Sequence, residues 1–92
     1  MEVPGLELKR AQMLQFEGHP LGHLTFLDTN HLPLAFCVIA DSDGAAEPRT
    51  EQRMGMNVVY WSNASHSFLL IGNLPPGTME GLADRLRGTL QV

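Results

Sequence analysis

The sequence predicts an α+β domain in which an antiparallel five-stranded meander sheet carries one C-terminal helix on one face. Three observations lead to this fold class. Strand-like runs bounded by turn signals fill residues 6–71, and helical spacing of apolar residues begins only after Pro75. A chain of 92 residues with 43% hydrophobic content is sufficient for one small core. Residues 1–92 are therefore expected to form a single small domain.

Three strands are predicted in the first half of the chain. Residues 6–16 alternate between apolar and polar, but the alternation changes phase near Lys9 and Arg10, where a β-bulge is expected. Strands at 21–28 and 34–40 follow the turn signals Gly-His-Pro and Thr-Asn-His. Residues 34–40 are apolar at both parities, which is typical of a central strand covered on both faces.

The second half contains a loop, two strands and the helix. Charged residues, a glycine and a proline predict a mobile polar loop at 41–51. Strands follow at 54–61 and 67–71, joined by a hairpin turn at 62–65. The helix starts at the pair Pro75-Pro76, because proline is tolerated at a helix start. Its apolar stripe has the spacing i, i+3, i+4 and i+7 and consists of Met79, Leu82, Ala83 and Leu86.

A single helix cannot cover both faces of five strands, so an apolar sheet face without cover is expected. The alternation assigns six candidate interaction residues to that face: Cys37, Ile39, Val59, Trp61, Leu69 and Ile71. Such a face predicts a protein partner or self-association as a homodimer, whereas a strongly curved sheet would bury both sides. Trp61 either belongs to the core or anchors the interface.

Composition argues against several functional classes. A net charge of −4 and a pI near 5.4 argue against a nucleic-acid partner, because such surfaces are normally basic. Cys37 is the only cysteine, which excludes an internal disulfide and a thiolate-rich metal site, and a buried thiol is expected there. No apolar run approaches the roughly 18 residues of a membrane helix, and the first ten residues lack a signal-peptide pattern.

Residue types that bind metals are present, but not in a metal-binding pattern. The histidines come from separate turns and loops, and they are His19, His23, His31 and His66. Four methionines that could bind copper(I) are expected to fill the core instead, and they are Met13, Met54, Met56 and Met79. The segment 41–44 reads Asp-Ser-Asp-Gly and departs from a calcium loop, because glycine directly follows the second acid. The sequence predicts neither a metal nor a cofactor.

No catalytic constellation is recognisable. Ser62, Ser65 and Ser67 surround His66, but G-x-S-x-G is absent and neighbouring residues of a strand point to opposite faces. No phosphate-binding glycine loop occurs in the sequence. The protein is therefore expected not to be an enzyme.

One stretch is distinctive enough to suggest a family. Residues 55–61 read Gly-Met-Asn-Val-Val-Tyr-Trp and are followed by a small polar turn, the strand 68–72, Leu74-Pro75 and the helix 79–86. Together with Pro-Gly-Leu near the start, this order resembles the extracytoplasmic C-terminal domain of bacterial transmembrane anti-sigma factors over roughly residues 3–88.

The resemblance implies a non-enzymatic sensory or interaction domain of a transcriptional regulator. It implies a periplasmic or other extracytoplasmic location, with attachment to the membrane only through a segment that this chain lacks, whereas a chain complete as given is expected to be cytoplasmic. It identifies no ligand residues. The rival hypothesis is a stand-alone small-ligand or metal-binding module that uses His19, His23, His31 and Met56.

Overall fold

Six strands and one helix form the fold of residues 3–90, the part of the chain that the computed structural model describes. In chain order these elements are β1 (Glu7–Phe16), β2 (His19–Leu27), β3 (Pro33–Ile39), β4 (Ala46–Arg53), β5 (Met56–Ser62), β6 (Ser67–Gly72) and α1 (Pro76–Thr89). The strands form a single antiparallel sheet in the order β1-β2-β3-β6-β5-β4. The prediction of an α+β fold with one C-terminal helix on an antiparallel sheet is confirmed.

The predicted five-stranded meander is wrong in strand number and in topology. After β3 the chain crosses to the far edge of the sheet and returns through β4, β5 and β6, so that β6 pairs with β3. Two three-stranded meanders are thus joined at their last strands. Short-range turn signals specify each hairpin, but they contain no information about which strands of the two meanders meet.

The predicted mobile loop at 41–51 is wrong from Ala46 onward, because those residues belong to β4, whereas residues 41–45 lie outside the strands. β4 is an edge strand, where exposed charges and a proline are tolerated since one side of the strand faces solvent. Three serine hydroxyls hold the preceding residues by donating hydrogen bonds to backbone carbonyls. These bonds are Ser42 to Asn63 (2.6 Å), Ser62 to Gly44 (2.6 Å) and Ser67 to Asp41 (2.8 Å).

Two tight turns have positive φ at both central residues, the conformation that joins twisted antiparallel strands. Glu17 and Gly18 (φ 49° and 81°) join β1 to β2, and Met54 and Gly55 (φ 53° and 80°) join β4 to β5. The strand predicted to begin at Met54 therefore begins at Met56. The predicted bulge near Lys9 is confirmed by a register shift between Leu8 and Arg10.

The core lies between the sheet and α1. The apolar stripe of the helix is buried as predicted, and it packs with three stacked aromatic rings, those of Phe36, Trp61 and Phe68. Their ring centroids are 5.4–6.2 Å apart. Val3 at the start of the described chain is also buried in this cluster. In residues 3–90 no helix has the length and apolar character needed to cross a membrane.

Asn57 connects the sheet to the segment that leads into the helix. Its side chain is buried, with 8% of its surface exposed, and its amide Nδ2 donates to the Leu74 carbonyl at 2.6 Å. A buried carbonyl needs such a partner, since an unpaired one costs free energy. The asparagine of the distinctive segment 55–61 thus has a clear structural role.

Candidate interaction surface

The sheet face turned away from α1, here called the open face, has apolar residues at its centre and polar residues on both sides. Directly paired residues lie on the same face, so the register defines two rows. The first row runs His23, Cys37, Leu69, Tyr60 and Arg49. The second runs Thr25, Ala35, Ile71, Val58 and Glu51. In each row the three central residues are not charged and the flanking residues are polar, which is the pattern of an interface core and its rim.

Four of the six predicted interaction residues lie on the open face: Cys37, Ile39, Leu69 and Ile71. They are half-buried by their neighbours. The assignment of Val59 and Trp61 to this face is wrong. They pair with Leu70 and Phe68 and lie beneath the helix, with 0% and 6% of their surface exposed. Trp61 therefore belongs to the core.

The wrong assignment has a physical reason. Residues 58–61 are apolar at both parities, so the only polar residue near the start of β5, Asn57, determines the expected phase. Polarity alone assigns Asn57 to the solvent side, but its hydrogen bond to the Leu74 carbonyl holds it on the helix side. Val58 and Tyr60 consequently take the open face, where the sequence had not placed them.

A concave pocket of about 710 Å³ lies on this face, beside β4. Val58, Leu69 and Ile71 contribute apolar walls, and Arg49 and Tyr60 line it as well. The Arg49 guanidinium carbon lies 5.1 Å from the centroid of the Tyr60 ring, within cation–π range. A small ligand or a side chain of a partner would fit such a cavity.

The rim of the pocket carries an ion pair. Glu51 accepts hydrogen bonds from Arg53 Nε (2.9 Å) and from the Tyr60 hydroxyl (2.9 Å), and its carboxylate also lies 2.8 Å from Arg53 Nη2 in an ion pair. These bonds, that from Arg53 first, hold the pKa of the Glu51 carboxyl below its ordinary value. The side chains of Arg53 and Glu51 are 70% and 40% exposed, so solvent screens the attraction. Glu51 and Arg53 were not identified as site residues from the sequence, because the composition of β4 is typical of a loop.

Cys37 and His23 face each other across β3 and β2. Burial raises the pKa of the Cys37 thiol, which keeps it protonated at neutral pH and weakens its nucleophilicity. The Nδ1 atom of His23 is buried and has no hydrogen-bond partner within the described residues.

The structure does not bring the four histidines together. His19 lies 3.7 Å from Asp41, His31 is in the turn after β2, and His66 is in the β5–β6 hairpin. Within residues 3–90 no three side chains among His, Cys, Asp and Glu gather as metal ligands do.

Ser65 and His66 are in contact, although neighbouring strand residues were expected to point apart. The Ser65 hydroxyl lies 2.7 Å from His66 Nδ1 because both residues are in the hairpin turn, where strand alternation does not apply. The Asn63 side-chain oxygen accepts from the backbone N–H groups of Ser65 (2.9 Å) and His66 (2.7 Å). This is a turn stabilised by an asparagine side chain.

Comparison of the chain with models of protein families finds no match. Comparison with curated proteins finds none either. The interpretation of the open face therefore rests on its geometry and on the physical chemistry of its residues.

Proposed function

We propose that this chain is a non-enzymatic interaction domain of an anti-sigma-factor-like transcriptional regulator, and that it binds a protein partner through the open face. The observation that carries the proposal is the arrangement of Cys37, Leu69 and Tyr60 beside Ala35 and Ile71 across three adjacent central strands. No element of residues 3–90 is packed over them, since α1 lies on the opposite face.

The side chains of the open face are better suited to contact with a protein than to contact with water. Burying apolar surface releases about 25 cal/mol per Å², and Tyr60 adds a large side chain with a polar end. Tyrosine and arginine are enriched among residues that dominate binding energy, and here Arg49 stacks on Tyr60. The polar residues on either side of the rows would form the solvated rim of the interface.

The extracytoplasmic location belongs to the same proposal. The resemblance of residues 3–88 to the outer domain of anti-sigma regulators supports it. An immunoblot of fractionated native cells tests the location: a larger band in the membrane fraction supports it. A soluble band near 10.1 kDa would contradict it.

Site-specific photo-crosslinking in native cells tests the open face. A photo-reactive amino acid at Ile71 is expected to capture one defined protein band, because Ile71 lies in the centre of the second row. The same amino acid at Asp84, exposed on the helix, is the matched control and is expected to capture nothing at that mass. Equal capture from both positions would refute the assignment of the face.

The pocket supports a second candidate function, the binding of a small ligand. Its volume of about 710 Å³ lies within the range of ligand sites. Arg53 on its lining is paired with Glu51, whereas the Arg49 guanidinium is available to an anionic group beside the apolar walls. The probe is anilinonaphthalene sulfonate, an aromatic anion. Saturable fluorescence enhancement that Arg49→Ala abolishes in a folded variant supports this function, and no enhancement refutes it.

A further inference from the structure

The edge strand β1 has exposed apolar side chains that neither the core nor the open face accounts for. Four of the large apolar residues that residues 3–90 expose lie on this one strand, and they are Leu8 (43%), Met13 (70%), Leu14 (45%) and Phe16 (48%). In β1 every residue except Gln12 is exposed. A long, exposed, apolar edge strand presents unpaired N–H and C=O groups and is a template for pairing with another strand.

The two edges of the sheet differ in the features that prevent such pairing. β4 contains Pro48, which cannot donate a backbone hydrogen bond, and its register is interrupted between Ala46 and Arg49. β1 pairs regularly with β2 from Arg10 to Phe16, and this segment contains no proline, glycine or acidic residue. In β1 the bulge and the basic residues are confined to Lys9 and Arg10 at its start, so the segment from Ala11 to Phe16 is left without the usual protective devices.

We propose that β1 pairs antiparallel with β1 of a second copy of this chain, so that two six-stranded sheets become continuous. An antiparallel pair of identical strands has a two-fold axis perpendicular to the sheet, which makes the contact self-complementary and closed. The axis keeps both helices on the same side. It also requires that two residues facing each other are both odd-numbered or both even-numbered.

Charge selects the register. With the axis at Met13, Lys9 in the bulge at the start of β1 comes close to Glu17 of the partner subunit in the turn after β1, and the two symmetric contacts are attractive. An axis at Gln12 would place Glu7 opposite Glu17 of the partner subunit. Like charges directly opposite one another are destabilising. An axis at Leu14 gives Glu17 no basic residue to face. The register centred on Met13 is therefore favoured.

The first test uses light scattering over a concentration series on the 92-residue chain. The expected mass is about twice 10.1 kDa, and Met13→Lys is expected to return it to 10.1 kDa because two ammonium groups would meet at the axis. Met54→Lys is the matched control, since Met54 is fully exposed in a turn, and it is expected to remain a dimer. Circular dichroism confirms that both variants fold. A monomer at all concentrations, or a dimer that survives Met13→Lys, would overturn the inference.

The second test measures the register by oxidation of cysteine variants in a Cys37→Ala background. Met13→Cys places two thiols opposite each other, within the Cα separation that a disulfide allows, and it is expected to give a cross-linked dimer. Gln15→Cys shares the same face but separates the thiols by roughly 14 Å along the strands, so it is expected to stay uncross-linked. The reverse result would overturn the register.

This inference is independent of the proposed function, because β1 and the central rows of the open face are separate surfaces. A dimer that Leu69→Asp dissociates and Met13→Lys does not would place self-association on the open face and would refute pairing at β1. If the photo-reactive residue at Ile71 captured no other protein, the proposed function would be refuted and the β1 result would be unaffected.

Discussion

Asn57 provides the most direct test of how this sheet is joined to its helix. In Asn57→Ala the Leu74 carbonyl loses the hydrogen bond of 2.6 Å that the Asn57 amide donates. The carbonyl belongs to a buried residue, so the variant leaves a buried acceptor unpaired, which costs about 1–3 kcal/mol. For a domain of this size about 2 kcal/mol corresponds to a fall in Tm of roughly 8–16 °C.

Urea denaturation followed by tryptophan fluorescence measures the change, because Trp61 is in the core. The control is Asn73→Ala, the same substitution at an exposed position one residue before Leu74. It is expected to change the free energy of unfolding by less than about 0.5 kcal/mol. If Asn57→Ala were as stable as Asn73→Ala, the hydrogen bond would not anchor the connection and the reasoning would be wrong.

Asn57→Asp tests the same contact through pH. An ionised carboxylate cannot donate to the Leu74 carbonyl, and burial disfavours the charged form, so the pKa of this group should rise in the folded state. The protonated acid can donate. The stability of the variant should therefore be highest at low pH and decline as pH rises through the raised folded pKa. A variant whose stability relative to wild type did not depend on pH would contradict this account.

Three further predictions concern other positions. Gly72→Ala should destabilise the fold by about 1–3 kcal/mol in urea denaturation, because a Cβ there would lie 2.8 Å from Cδ2 of the fully buried Leu34. An unchanged stability would mean that this contact can relax. Met54→Asn should raise Tm in a thermal melt, since Met54 is fully exposed at a positive φ that asparagine tolerates better, and a lower Tm would contradict this. Arg53→Gln should raise the pKa of Glu51 toward its ordinary value in an NMR titration, and any stability that wild type gains from this pair is present near neutral pH and lost as pH falls through the depressed folded pKa.

Local signals in the sequence were enough to predict the elements with clear periodicity. The helix followed from two prolines and an apolar stripe, and the bulge in β1 followed from a change of phase near Lys9. The edge strand β4 could not be found in the same way. Its charges and Pro48 are typical of a loop, and the turn that pairs it with β5 has Met54 where asparagine is the usual residue.

The candidate site was only partly predictable for a different reason. The alternation in β3 and β6 predicted the correct face for Cys37 and Leu69. In β5 the buried Asn57 amide lies on the helix side, so the residues expected on the open face lie beneath the helix instead. Finding Tyr60 on the open face required knowledge that Asn57 meets the Leu74 carbonyl, a contact between residues 17 positions apart. A single polar residue with a tertiary hydrogen-bond partner therefore shifted a whole strand between core and surface.

The uneven cover of the sheet explains why the two proposed surfaces lie where they do. α1 contacts β4, β5 and β6, and residues near Val3 complete the cover, with Arg85 donating to the Pro4 carbonyl at 3.1 Å. Cover therefore exists on one face only, which leaves the central rows of the other face as the surface for which we propose a partner. At the β1 edge the residues are exposed on both faces, so side-chain burial contributes little there and backbone pairing remains the principal means of stabilising the strand. A second copy of β1 supplies such pairing, and in the register centred on Met13 the two Met13 side chains would meet on one face of the joined sheet, while Phe16 would pack against Arg10 of the partner subunit on the other.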